Sequence, residues 1–150
     1  MYANILLSTD GSEVATKGVK AGLALAKALN AKATVITVTE PLEVDYGSGH
    51  ASGWIPTKEE FKSFDSARRE HAGRVLDEIR AMAEKVGIAA ELVHVPDAHP
   101  ASTIVEEAKS RGCDLIVMAS HGRRGIKKLF LGSQTTEVLA DGKVPVLVVY

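Results

Sequence analysis

Short apolar runs alternate along the chain with longer stretches in which apolar residues recur at helical spacing. The short runs occupy residues 3–9, 33–39, 88–95, 114–119 and 145–150, and turn residues bound most of them. Runs of this length, rich in Val, Ile and Leu, predict five strands, and the most continuous ones predict burial on both faces. Helical spacing is found over residues 13–29, 57–86, 100–111 and 133–140. Regular alternation of strands and helices predicts a single α/β domain over residues 1–150, with a parallel sheet between two helical layers.

The helix over residues 57–86 has clear signals at both ends. Thr57 followed by Glu60 predicts an N-terminal capping box, and Gly87 stands where a C-cap residue belongs. Pro100 suits the first turn of the next helix. The apolar stripe of the long helix contains Phe61, Phe64, Val75, Ile79, Met82 and Val86.

The first helix is rich in alanine and lysine. Its apolar spacing includes Val14, Ala21, Leu25 and Ala28, while Gly18 and Gly22 also share one face. Small residues on one face would let the helix lie close to a sheet.

Residues 41–56 form the one long segment without a sustained period. The segment contains glycine, serine and two aromatic residues, which predicts a loop that is long for a compact domain. Such a loop is either a mobile excursion or a lid over a ligand, and the sequence leaves both interpretations open.

Composition and charge narrow the function classes. The chain has 45% hydrophobic residues, 25% charged residues and a formal net charge of -1, which is typical of a globular domain and argues against general nucleic-acid binding through basicity. The single cysteine, Cys113, excludes an internal disulfide. No apolar run approaches the ~18 residues of a membrane helix, so we predict a cytoplasmic protein without a membrane segment.

The loop after the fourth strand combines glycines with positive charge. Its glycines and serine are Gly122, Gly125, Gly132 and Ser133, and its cations are Arg123, Arg124, Lys127 and Lys128. Glycines let backbone N–H groups approach a ligand, and the following helix N-terminus favours an anion, so this loop predicts a phosphate site. The alternative is that the four cations form a solvated loop surface. Their position between the glycines favours phosphate contact for one or two of them.

Asp10 and Val38 follow the first and second strands, so they fall on the same edge of the predicted sheet as the glycine loop. Ligands of such sheets bind at this edge, where the strand order reverses. Asp10 could accept hydrogen bonds from a base or a ribose, or it could cap the following helix, and the sequence favours neither.

Other chemistries have weak support. The loop is not a P-loop, and STDGSE lacks the dinucleotide pattern G-x-G-x-x-G. Ser120, His121 and Asp10 invite comparison with a hydrolase triad, but no nucleophile elbow surrounds the serine. The other histidines show no metal-ligand spacing with Cys113 or with one another. We interpret Cys113 as a structural residue.

The segments that carry a family resemblance are ILLSTDGSE near the start, DLIVMASHG, LFLGS and the terminal VPVLVV. The sequence resembles the universal stress protein family over the whole chain. Adenine-nucleotide-binding members of that family carry G-x2-G-x9-G-[ST] after the fourth strand. Gly122, Gly132 and Ser133 match this motif, and Ala119 replaces its first glycine. An alanine is tolerable there if its φ is negative, and it obstructs the site if the backbone needs a positive φ or touches the ligand closely.

The resemblance implies roles for individual positions. Asp10 would contact the adenine and Val38 would line the base pocket. Met118 and Ala119 would open the binding loop, and Gly122, Gly132, Ser133 and Gln134 would surround the ribose and phosphates. Separately from the resemblance, the place of Arg123 between the glycines predicts that it reaches a phosphate.

We therefore predict a five-stranded sheet in the order 3-2-1-4-5 that binds ATP, AMP or another adenine nucleotide, with or without Mg²⁺, and hydrolyses it slowly or not at all. The apolar terminal strand, residues 145–150, predicts a homodimer, as the resemblance also implies. Two alternatives are a dimeric stress-response interaction module that binds no nucleotide, and a slow ATPase or a phosphoryl or nucleotidyl transferase.

Overall fold

A computed structural model describes residues 1–42, 55–120 and 131–150. Strands and helices alternate within these ranges as the sequence predicts. In chain order they are β1 (Asn4–Ser8), α1 (Glu13–Leu29), β2 (Lys32–Val38), α2 (Lys58–Val86), β3 (Ala90–Val95), α3 (Pro100–Ser110), β4 (Leu115–Ala119), α4 (Ser133–Asp141) and β5 (Val146–Val149).

The five strands form one parallel sheet in the order β3-β2-β1-β4-β5. This confirms the predicted fold class and strand order. The order reverses between β1 and β4, whose Ile5 and Leu115 are register partners. The carboxyl ends of these two central strands therefore mark the switch point at which ligands of such sheets bind.

Alternate residues of the central strands supply two separate cores. Ile5, Leu7, Val35 and Val117 pack with α1 and α2, while Leu6, Ile36, Ile116 and Met118 pack with α3 and α4. Because both faces of the strands are covered, β4 is buried at all five positions. This explains why the strands appear in the sequence as nearly continuous apolar runs.

The buried face of α1 is set by its glycines. Its buried residues are Ala15, Gly18, Val19, Gly22, Leu23 and Ala26, whereas Ala21 and Ala28 are exposed. The predicted close approach at Gly18 and Gly22 is confirmed, because a Cβ at Gly22 would collide with the side chain of Leu7. The apolar residues noted at helical spacing only partly face the core: Leu25 packs against it and Val14 is partly buried, whereas the small Ala21 and Ala28 are exposed.

Helix α2 has the predicted ends. Thr57 and Glu60 form a reciprocal capping box, with Glu60 N–H donating to Thr57 Oγ1 at 3.2 Å and Thr57 N–H donating to Glu60 Oε2 at 2.8 Å. Gly87 ends the helix in a left-handed conformation, with a φ of 74°.

Burial along α2 is uneven. Its buried residues begin at Ala72, and Phe61 and Phe64 of the apolar stripe are each 45% exposed. Val75 lies beside Gly11, just beyond the end of β1. Residues 58–71 precede the first buried residue of α2 and span about 20 Å of helix; we call them the α2 overhang.

No helix among the described residues is long and apolar enough to cross a membrane. Residues 43–54, the greater part of the predicted loop, and residues 121–130 lie outside the described residues.

Candidate functional site

An open cleft of about 1040 Å³ lies at the carboxyl edge of the sheet. The ends of β1, β2 and β4 form its floor, the N-terminus of α4 forms one end, and the α2 overhang forms a wall. Seven of the predicted site residues line it: Asp10, Val38, Met118, Ala119, Gly132, Ser133 and Gln134. Pockets of nucleotide size fall in this range of volumes.

Asp10 belongs to the turn between β1 and α1. Its Oδ1 accepts the N–H of Ser12 at 2.9 Å, and Ser12 in turn caps α1, with its Oγ accepting the N–H of Ala15 at 3.1 Å. Asp10 is therefore not the N-cap of α1. Instead, it accepts a hydrogen bond from Ser12, which is the N-cap. This turn fixes a carboxylate at the cleft, next to the end of the central strand.

The N-terminus of α4 opens the other end of the cleft. Gly132 is its N-cap and supplies no side-chain cap, and the first turn contains no acid. The helix start is fastened to β4, because Gly132 N–H donates to Ser120 O at 2.6 Å and Thr135 Oγ1 donates to Ala119 O at 3.0 Å. A fixed helix N-terminus without a side-chain cap carries partial positive charge and favours an anion.

Ala119 has ordinary strand geometry. It is the last residue of β4, and Asn30 and Asp97 are the non-glycine residues with positive φ in the described part of the chain. A Cβ built on Gly18 would come within 3.3 Å of Ala119 Cβ, so the methyl group lies against α1. Of the two cases that the sequence left open for φ, the negative one applies here.

Gln134 contributes a buried acceptor to the cleft. Its Oε1 is buried and has no hydrogen-bond partner in the described part of the chain. A buried polar atom without a partner costs free energy, and a ligand donor could satisfy it. Met118 is buried, with its side chain in the core under α3 and α4, and Val38 is partly buried beside that core.

Two predicted site residues, Gly122 and Arg123, lie outside the described residues. The same holds for His121 and for Arg124, Gly125, Lys127 and Lys128. Of the positions in the glycine motif, the structure therefore describes Ala119, Gly132 and Ser133.

The wall formed by the α2 overhang is the part of the cleft that the sequence interpretation missed. Phe64, Ala67, Arg68, His71, Ala72 and Val75 face the cleft from this helix. Their i, i+3, i+4, i+7 spacing places them on one helical stripe. The sequence signal that could have revealed this wall is the presence of Arg68 and His71 on a helical stripe that is apolar elsewhere on α2.

A compact ionic cluster ties the α2 overhang to the turn after β3. Arg69 Nε donates to Asp65 Oδ2 at 2.8 Å, and its Nη2 lies 3.6 Å from Asp97 Oδ2. Arg68 Nη1 lies 3.9 Å from Asp97 Oδ1. The hydrogen bond that Arg69 donates to Asp65, together with the negative charge of Asp65, raises the pKa of Arg69 above its ordinary value.

His94 lies beside this cluster, and its Nε2 is 3.0 Å from Thr39 Oγ1. Burial, followed by the positive charges of Arg69 and Arg68, lowers its pKa from the ordinary value. His94 is therefore neutral at pH 7.

The other candidate chemistries gain no support from the described residues. Ser120 is 2% exposed, which does not suit a nucleophile. Burial raises the pKa of the Cys113 thiol and disfavours the reactive thiolate. No group of three or more metal-ligating side chains occurs in residues 1–42, 55–120 and 131–150.

Comparison with known proteins gives a consistent result. A model of the universal stress protein family matches residues 1–150. The chain is 30% identical to universal stress protein YxiE of Bacillus subtilis over 152 residues, covering 99% of each chain.

Solved structures share the fold. The structure of protein MJ0577, a universal stress protein of Methanocaldococcus jannaschii, superposes with a TM-score of 0.78 at 29% identity, covering 99% of this chain and 96% of that one. A universal stress protein in complex with cAMP superposes with a TM-score of 0.70 at 24% identity, covering 99% of this chain and 97% of the other. The second likeness shows the fold alone.

Proposed function

The chain belongs to the universal stress protein family, and from this premise we propose that it binds an adenine nucleotide, ATP or AMP, in the cleft at the β1/β4 switch point. The observation that carries the proposal is the N-terminus of α4, which lacks a side-chain cap and borders a cleft of nucleotide size. Phosphates would lie at this helix end, near Gly132 and Ser133. The base would lie toward Asp10 and Val38, on the other side of the switch point.

The geometry of Ala119 supports binding despite the changed motif. Its φ is not positive, and its methyl group packs against Gly18. Alanine therefore meets no conformational penalty at a position where the family motif has glycine. A related protein of the same fold was solved with cAMP, which is compatible with this role for the cleft.

The role we propose is regulatory, with slow hydrolysis or none. Asp10 and Glu40 are the carboxylates among the described lining residues. Asp10 Oδ1 accepts the N–H of Ser12, so an attacking water would have to meet its other oxygen, and the described lining residues show no pair of carboxylates arranged around one water. If Mg²⁺ accompanies ATP, these carboxylates and the phosphates are the oxygen ligands that it would prefer.

Two measurements test nucleotide binding. Mass spectrometry of small molecules released from the denatured protein should detect an adenine nucleotide, and calorimetry with ATP and AMP should give micromolar or tighter dissociation constants. No heat up to millimolar nucleotide would instead favour the interaction module. Repeated turnover of ATP by the purified protein would favour the enzyme alternative.

We also propose that the protein is a homodimer that pairs through residues 145–150. Strand β5 is an edge of the sheet, and its Leu147 is 41% exposed. Exposed apolar edge strands are commonly covered by a partner.

A further inference from the structure

Arg68 has an unusual environment for a guanidinium group. Its side chain is 25% exposed and lines the cleft. Within the described residues its single polar contact is Asp97, at 3.9 Å, which exceeds hydrogen-bond distance. Among residues 1–42, 55–120 and 131–150, Arg68 is thus a cleft-lining arginine held by a long ion pair and by no short hydrogen bond.

Arg69, the next residue, is the internal comparison. Its Nε donates to Asp65 at 2.8 Å, its Nη2 contacts Asp97, and it does not line the cleft. The two arginines share Asp97, but only Arg69 has a close carboxylate of its own. Of these two arginines, Arg68 is therefore the one placed to donate to a ligand in the cleft.

The charge balance around Arg68 indicates what kind of group it would contact. Asp65 and Asp97 offset the charges of Arg68 and Arg69, and His94 is neutral at pH 7 because burial and the two arginines lower its pKa. A cluster without net positive charge attracts a phosphate weakly. It can still donate hydrogen bonds to a neutral acceptor.

The position of Arg68 agrees with a neutral group. Arg68 contacts the turn after β3, whereas the phosphate-favouring end of α4 is fastened to β4. In the order β3-β2-β1-β4 these ends are three strand spacings apart, about 14 Å. An extended nucleotide with its phosphates at α4 would direct its base toward Arg68.

Resting on the proposed function, we propose that Arg68 contacts the base of the nucleotide, donating hydrogen bonds to its ring nitrogens. Phe64, one helical turn before Arg68 on the same stripe, also lines the cleft. An aromatic ring beside a guanidinium suits the face and the edge of a planar base.

The test compares AMP with ribose 5-phosphate, which lacks the base. Arg68→Ala should weaken AMP binding about 10- to 100-fold, the loss expected for a charged hydrogen bond, and leave ribose 5-phosphate affinity unchanged. Arg68→Lys should fall between the wild type and Arg68→Ala, because it keeps the charge but not the planar fork. Arg69→Ala is the matched control, and it should bind AMP as the wild type does.

Each contrary outcome has a distinct meaning. An equal loss for both ligands would make Arg68 a phosphate contact and overturn the inference. So would unchanged AMP affinity in Arg68→Ala, or an equal loss in Arg69→Ala, which would indicate a general disturbance of the ionic cluster. If the wild-type protein binds neither AMP nor ATP, both the proposed function and this inference fail.

Discussion

The methyl group of Ala119 packs against Gly18 of α1, where an added Cβ would lie 3.3 Å from it and 3.1 Å from the backbone N of Ala119. The alanine in the nucleotide motif and the glycine in the first helix are therefore coupled by space. A larger residue at either position would push α1 away from the end of β4.

Gly18→Ala should consequently destabilise the protein. Overpacking costs about 1–3 kcal/mol, and the better helix propensity of alanine returns up to about 1 kcal/mol. In an Ala119→Gly background the same change should cost less, because one of the two close contacts disappears. Urea unfolding of the four proteins in this cycle measures the coupling, and additive effects would contradict it.

Gly73→Ala is the control for helix propensity. Nothing lies within 4 Å of a Cβ added at Gly73, which is exposed in the middle of α2. This change should stabilise the protein by about 0.5–1 kcal/mol.

A carboxylate at the start of α4 should separate helix stability from ligand affinity. Ser133 is exposed in the first helical position. Ser133→Glu should stabilise α4 by about 0.3–1 kcal/mol through the helix dipole, while it weakens ATP binding about tenfold or more by repelling the phosphates. Ser133→Gln, the neutral counterpart, should change affinity less, and calorimetry together with thermal unfolding distinguishes the two effects. Equal ATP affinity in both variants would place the phosphates elsewhere.

Asp114 should make the protein sensitive to acid. Its carboxylate accepts the backbone N–H groups of Ala3 at 2.8 Å and Asn4 at 3.0 Å, and these hydrogen bonds lower its pKa from the ordinary value. A lowered folded-state pKa means that the stabilisation is complete above the unfolded-state pKa, about 3.9, and disappears as the pH falls through the folded-state value.

Asp114→Asn should therefore be less stable than the wild type at pH 7, and the difference should shrink as the pH drops below about 4. Denaturant unfolding between pH 2.5 and pH 7 measures this. A difference that does not depend on pH would contradict a role for the charge.

Leu147→Lys should dissociate the proposed dimer. A lysine on the edge strand places a charge where a partner strand would pack. Sedimentation velocity should show a dimer for the wild type and a monomer for the variant. Phe61→Lys is the control, since Phe61 is similarly exposed but belongs to α2, which packs beside β2 and β3 at the other side of the sheet. A wild-type monomer, or a dimer in both variants, would contradict the proposal.

The fold was predictable because the signals were local. Capping at Thr57 and Glu60, the left-handed Gly87 and the start of α3 at Pro100 all follow from short-range chemistry and are confirmed. Strand order was predictable from the resemblance to a family, since pairing between β1 and β4 joins residues far apart in sequence.

The wall of the cleft was less predictable. Phe64 and Arg68 lie on the stripe that farther along α2 is buried, and periodicity alone does not tell where a helix leaves its sheet. The same limit applies to the buried face of α1. Alanines occur on several faces of this helix, so apolar spacing alone did not identify the face that contains Gly18.

The α2 overhang also has a dynamic consequence. Its residues, 58–71, bury no side chain in the core, so the free energy that opens this half of the helix is smaller than that of global unfolding. Its amide protons should exchange with solvent far faster than those after Ala72. A ligand that contacts both α4 and the overhang would slow that exchange. Ligand binding in the cleft would then be detectable as slower amide exchange in residues 58–71, while the part of α2 that packs on the core would change little.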